Sequence, residues 1–135
     1  MPEQLRLMCV LAHPDDESLG NGGTLAKYAA EGIEIYLVTA TRGERGWQGA
    51  EQDNPGLDAL GAIREAELRS AVAALGIREL HFLDYIAGAL DQAAPATAIA
   101  KIAAHLRRIK PHVVVTFGPA GAYVTPLVRK LASEH

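Results

Sequence analysis

Cysteine is almost absent from this 135-residue chain, with Cys9 its sole representative. No disulfide framework can therefore staple the fold, and stability has to come from a buried core. Aromatic residues are scarce at 5%, with two Phe, one Trp and four Tyr, so that core must be largely aliphatic. No apolar run approaches the roughly 20 residues that a membrane-crossing helix needs. The N-terminus shows no basic stretch followed by a long apolar one, so a signal peptide is not expected. A formal charge of −3 creates no field that would gather nucleic acid or an anionic membrane. The basic residues are scattered except for Arg107, Arg108 and Lys110, which fall where a helix should end and complement its dipole. Cys9, inside an apolar run, reads as a buried thiol compatible with a reducing compartment. The expectation is one soluble, cytoplasmic domain over 1–135.

What the chain does contain is alternation. Leu5 to Ala12 is nearly continuous apolar sequence, as in a strand buried on both faces. A Gly-rich turn leads into a short helix over Gly22–Glu31, stopped by Gly32, and Ile33–Thr39 is a second buried strand. Thr41–Gly56, with Gly43, Gly46, Gly49 and Pro55, reads as a long loop, a length often kept for function. Asp58 is expected to cap a helix to Leu75 with Ile63, Leu68, Val72 and Leu75 on its apolar stripe and Gly76 as its stop. Leu80–Leu83 is a third strand. A third helix, Ala96–Ile109, should face Ile99, Ile102, Ala103, Leu106 and Ile109 inward, and His112–Phe117 is a fourth strand. Strands alternating with helices imply βαβ units and a three-layer, Rossmann-like α/β domain with a mainly parallel sheet. Ligands of such sheets bind beyond the carboxyl ends of the strands. His13–Glu17, Thr41–Trp47 and Gly118–Tyr123 all fall there.

His13-Pro14-Asp15-Asp16-Glu17 is the segment that carries chemistry. Pro14 keeps His13 extended, and the turn that follows can bring His13 and Asp16, three apart, toward one point. Imidazole plus carboxylate is a common Zn²⁺ donor pair. Asp15, between them, could then take the proton of a water activated by the metal as it attacks a carbonyl. The plainer alternative is that Asp15 or Asp16 caps the next helix and His13 is a polar strand end. Three acids and a His converging where an apolar strand stops call for a counter-charge, which favours a cation. A dinucleotide site was the other alternative, prompted by Gly20-Asn21-Gly22-Gly23. That string lacks the final glycine of the fingerprint, and it follows an acidic turn that would repel pyrophosphate.

At this point the chain resembles a family. Ala12-His13-Pro14-Asp15-Asp16-Glu17 is similar to the signature of the LmbE/PIG-L deacetylases. The likeness continues through Ser18–Thr24, Thr41–Gly46, Arg64-Glu65-Ala66-Glu67, Phe82–Tyr85 and Pro111–Tyr123. The resemblance implies a Zn²⁺ hydrolase that removes acetyl groups from N-acetylglucosamine-type conjugates. His13 and Asp16 would be metal ligands and Asp15 the general base. Glu44 and Arg64 match positions near the substrate in relatives, with a loop acid and an exposed helix charge as their plainer readings. Trp47 could stack on a sugar face or shield the cleft. Tyr123 could support the oxyanion or pack on the sheet edge.

The chain also departs from that pattern. Relatives continue after the tyrosine with Gly-His-Pro-Asp-His, whose first His assists the reaction and whose last is the third metal ligand. Here Val124-Thr125-Pro126-Leu127-Val128 stands there, so the assisting His is matched by Thr125 and the ligand His by Val128. Ala87 stands where many relatives carry Asp. Reading GGT-CAC-CC one base later gives GTC-ACC-C, which turns Gly-His-Pro into Val-Thr-Pro. A frameshift just after Tyr123 is therefore the expected cause, with 124–135 an out-of-frame tail. The family's C-terminal strands and helices are expected to be missing, leaving apolar sheet surface that favours a homo-oligomer.

Overall fold

The computed structural model describes residues 3–118. Four strands, β1 (Arg6–Leu11), β2 (Glu34–Thr41), β3 (Glu79–Tyr85) and β4 (Val113–Thr116), form one sheet in the order β3-β2-β1-β4. All three strand pairs are parallel, with Leu7 opposite both Ile35 and Val113. The helices are α1 (Asp16–Leu19), α2 (Gly22–Ala30), α3 (Leu57–Leu75) and α4 (Pro95–Ile109). The expected α/β architecture with a parallel sheet is what the chain adopts.

The two-residue period of the strands sorts their side chains into two cores. Leu7, Cys9 and Leu11 of β1, with Ile35 and Leu37 of β2, pack against Leu25 of α2 and Leu68 of α3. Met8, Tyr36, Val38 and Leu83 face the other way, against Ile109, with Ile102 and Leu106 of α4 beside them. Three layers result: α2 and α3, the sheet, then α4. The first two crossovers step from β1 outward to β3 with their helices on one face. The third steps back across β1 to β4 with its helix on the opposite face, as a uniform crossover hand requires. The strand order therefore reverses between β1 and β4, and the crevice beyond their carboxyl ends is where a ligand belongs.

Local chemistry explains the element ends. Gly76 ends α3 in the left-handed region (φ 79°), its N–H returning to Ala73 O, and a Cβ there would lie 2.9 Å from Ala29 Cβ. Pro95 opens α4 in its first turn, where backbone N–H groups have no partner within the helix. Arg108 in its last turn also donates to Glu79.

Three expectations are corrected. Gly56 precedes α3, and no side chain caps that helix, so Asp58 lies within its first turn. Ile63 is 48% exposed: five residues before Leu68, it sits about 140° around the helix at 3.6 residues per turn. Ile99 is 65% exposed because burial in α4 is concentrated in its second half, from Lys101 on. Strand β4 is lightly covered, with Val113 and Val114 exposed. No helix among the described residues is long and apolar enough to cross a membrane.

Cys9 is fully buried, and burial, reinforced by the nearby Glu17 carboxylate, pushes its thiol up to about 11. It is a small hydrophobe in the core and not a nucleophile. At the far side of the sheet, Glu79 accepts hydrogen bonds from His81 and Arg108, which hold its carboxyl below the usual carboxylate range. A depressed acid stabilises the fold above its unfolded value of about 4.3, and that contribution disappears as pH falls through the folded value. Thermal melts from pH 6 down to pH 3 should therefore show a smaller acid-side loss in Glu79→Gln than in the unmodified chain. An identical loss in both would remove this pair from the account.

Candidate active site

The site begins where β1 runs out. His13 and Asp16 meet there, with Nδ1 and Oδ2 3.8 Å apart. Asp16 is steered by the backbone: its Oδ2 accepts from His13 N–H (2.9 Å) and Ala12 N–H (3.2 Å). Its own N–H returns to His13 O, closing a tight turn at the carboxyl end of the strand.

Asp15 occupies the residue before α1, in the left-handed region at φ 109° and ψ −27°. A non-glycine residue there costs about 1–3 kcal/mol, which the surrounding structure must hold. Its side chain makes no capping hydrogen bond, so the plainer reading of Asp15 as a helix cap is not what the geometry shows. The carboxylate stands half-exposed, 3.6 Å from Arg64 Nη2. Burial and then the charge of Asp16 raise its affinity for a proton, partly offset by Arg64. Such a group is a better base than an ordinary surface aspartate.

Behind this turn lies Glu17, a buried charge at 2% exposure. Its Oε2 accepts from Asp15 N–H (3.0 Å) and its Oε1 from the Ser18 hydroxyl (2.9 Å). Thr41, at the end of β2, donates from its hydroxyl to Ala12 O (2.9 Å) and accepts from Gly43 N–H. This ties the two strand ends together. Gly43 then turns with φ 68°, where a Cβ would touch Pro14 Cδ at 3.4 Å. The loop after β2 thus packs on Pro14, the second residue of the motif.

Arg64 reaches in from α3. It donates to Pro14 O (2.7 Å) and pairs with Glu67. A shallow cleft of about 190 Å³ lies here, lined by Pro14, Asp15, Leu19, Arg64, Glu67 and Ala71, among others. Glu44 uses one carboxylate oxygen to hold the loop: its Oε2 accepts from Ala87 N–H at 3.0 Å, and its Cγ rests on Gly61. The structure thus ties it to the segment after β3. Trp47 closes on its own loop, donating to Ala50 O (2.9 Å) with its ring against Gly49. Tyr123, Thr125, Val128 and the tail over 124–135 lie outside the described residues.

Sequence reasoning assigned no role to Glu17 or Thr41. Glu17 stood inside the quoted motif. Its burial at a strand end was the missing signal, and that depends on how the turn folds. Arg42 was missed too: it bridges Glu65 (3.0 Å) and Asp84 (2.6 Å) and stacks on Phe82, bracing the ends of β2 and β3.

The donor set tests whether a divalent cation fits. An imidazole and a carboxylate suit zinc, but a catalytic zinc takes three protein ligands. Among the described residues no group of three His, Cys, Asp or Glu side chains is placed to hold a metal. The pair fits; the third donor would have to come from outside the described residues.

Comparisons with known proteins place the family and the fold. The family model described as PIG-L: GlcNAc-PI de-N-acetylase matches residues 8–126. A 1D-myo-inositol 2-acetamido-2-deoxy-alpha-D-glucopyranoside deacetylase of Rhodococcus jostii is 38% identical over 90% of this chain and 48% of its own length. Its namesake in Mycobacterium tuberculosis is 37% identical over 93% and 48%. This chain therefore spans about half the length of the curated relatives it matches. Among solved structures, the N,N'-diacetylchitobiose deacetylase of Pyrococcus horikoshii superposes with a TM-score of 0.78 at 28% identity, over 96% of this chain and 48% of its own. A 4-carboxy-2-hydroxymuconate hydratase from Pseudomonas putida superposes with a TM-score of 0.73 at 27% identity, over 97% and 55%. The fold thus hosts more than one reaction, and function has to be argued from the site.

Proposed function

The chain belongs to the PIG-L family of GlcNAc-PI de-N-acetylases, and we propose that it carries the amino-terminal half of a metal-dependent N-deacetylase site for N-acetylglucosamine-type conjugates. The observation that carries this is the convergence of His13 and Asp16 at the end of β1, with a strained Asp15 between them. His13 and Asp16 would hold the cation. The chemistry it supplies when bound is Lewis-acid polarisation of a carbonyl and acidification of water. Asp15 accepts the proton of the attacking water at a carboxylate oxygen, and the raised proton affinity of that carboxyl favours the transfer. Arg64, beside the cleft, offers guanidinium N–H groups to a sugar hydroxyl. Trp47 would contribute a ring face to the sugar, Glu44 a polar contact, and Tyr123 a hydroxyl toward the oxyanion. The substrate is a small amino-sugar conjugate, with neither nucleic acid nor membrane as partner.

A second reading has its own observation. Val128 stands where the family's third ligand is expected, and the family match stops at Pro126. The chain would then be a defective or non-catalytic form of the same site, holding a cation weakly. Metal content and hydrolysis of an N-acetylglucosamine conjugate separate the two readings. In either reading, His13→Ala and Asp16→Ala should each abolish Zn²⁺ binding, because two donors are already a minimal set. Equilibrium dialysis checks this, and undiminished zinc in both variants would place the metal elsewhere.

A further inference from the structure

The peptide unit between Pro14 and Asp15 is held by a charged side chain at each of its polar atoms. Its carbonyl, Pro14 O, accepts from Arg64 Nη2 at 2.7 Å. Its N–H, on Asp15, donates to Glu17 Oε2 at 3.0 Å. In a trans peptide these two groups point in opposite directions, and no cis bond is present among the described residues. A guanidinium on one side and a carboxylate on the other therefore fix the peptide plane. That plane anchors one side of the φ torsion of Asp15, which stands at 109°, a backbone region that is costly for a residue other than glycine.

The two partners are themselves anchored. Glu17 is almost wholly buried and takes a second hydrogen bond from Ser18. Arg64 is set by its ion pair with Glu67 on the same helix. Charge-assisted hydrogen bonds are the stronger kind, and burial limits the competition of water for Glu17. Downstream, Asp15 O accepts from Ser18 N–H (2.9 Å) and Leu19 N–H (2.8 Å), so the residue is restrained on both of its peptide bonds.

We infer that Glu17 and Arg64 act as a clamp on the Pro14–Asp15 peptide and are positioning residues that aim the Asp15 carboxylate. The inference rests on the reading of Asp15 as the base and deepens it. Arg64 then acts through the backbone as well as toward substrate. Ordinary substrate binding by Arg64 would raise KM when the side chain is lost, whereas a clamp lowers kcat. Glu17 is almost wholly buried at the wall of the cleft, with both carboxylate oxygens bonded inside the turn, so an effect of its loss on kcat with little change in KM passes through Asp15.

The test has one arm that needs no activity. Amide hydrogen exchange in the unmodified chain should show Asp15 N–H slowed at least about tenfold relative to an open loop amide. Glu17→Gln keeps a carbonyl acceptor of the same reach and should retain most of that protection. Glu17→Ala should lose it while amides of β1 stay protected. If Glu17→Ala fails to fold, Arg64→Ala decides the matter: the clamp predicts faster exchange at Asp15 N–H, and unchanged protection overturns it. Where turnover is measurable, Glu17→Ala and Arg64→Ala should lower kcat about 10-fold or more with KM changed less than about threefold, and Glu17→Gln should recover most of it. An unprotected Asp15 amide in the unmodified chain overturns the clamp. So does a purely KM effect in Arg64→Ala with Glu17→Ala unaffected. Failure of the base reading shows differently: Asp15→Asn leaves turnover unchanged while the exchange results stand.

Discussion

Substituting Val124→Gly, Thr125→His, Leu127→Asp and Val128→His, with Pro126 kept, is expected to tighten Zn²⁺ binding by at least about 100-fold. Loss of a hydrogen bond that merely orients a metal ligand costs roughly 10–100-fold in affinity, so gain of a whole donor should exceed that range. A valine side chain offers no lone pair, and His13 and Asp16 alone would leave a cation mostly hydrated and loosely placed. Strand β4 ends at Thr116, beside Val10 near the end of β1, so the chain that follows it starts at the mouth of the crevice holding His13 and Asp16. An imidazole in that continuation is within reach of the pair if it follows the family path. Competition with a chromophoric chelator measures the change. Unaltered affinity in the fourfold variant would mean that this segment does not approach the site.

In that same variant, or wherever the unmodified chain turns over, Asp15→Asn is expected to lower kcat by about 10²–10⁴-fold. Asparagine preserves size and the left-handed backbone preference while removing the proton acceptor. Zinc affinity should be nearly intact, because His13 and Asp16 are unchanged. Steady-state kinetics beside a zinc titration separates the roles. Loss of metal with no catalytic deficit in the loaded enzyme would make Asp15 a ligand instead of a base.

Much of this arrangement was legible in the residues. The run Leu5–Ala12 is apolar at both strand faces, and β1 occupies Arg6–Leu11 between β2 and β4. The reason is physical: a central parallel strand is covered on both sides and tolerates few polar side chains. Parallel pairing then put every strand's carboxyl end on one edge, and the polar residues His13 to Glu17 stood at that edge. Helix α1 was not legible, because four residues are too few to show a period. Nor was the left-handed backbone of Asp15, whose preceding peptide hydrogen-bonds to Glu17 and to Arg64, the second of them far along the chain. Glu44 illustrates the same limit. Its attachment to Ala87 N–H joins the loop after β2 to the segment after β3, a contact set by tertiary packing. Ile63 and Ile99 misled because an apolar residue near a stripe is easily counted into it. Ile63 is turned away from Leu68 around α3, and Ile99 lies in the uncovered first half of α4.

We propose that the turn after β1 supplies two metal donors and a base, and that the third donor is missing where Val128 stands. The most direct test is deacetylation of an N-acetylglucosamine conjugate by the purified, unmodified chain, with zinc content measured on the same sample. The expected result is weakly held zinc and little or no acetate released. Full turnover with one tightly bound zinc per chain, in a sample shown to be monomeric so that no partner donates a ligand, would contradict it.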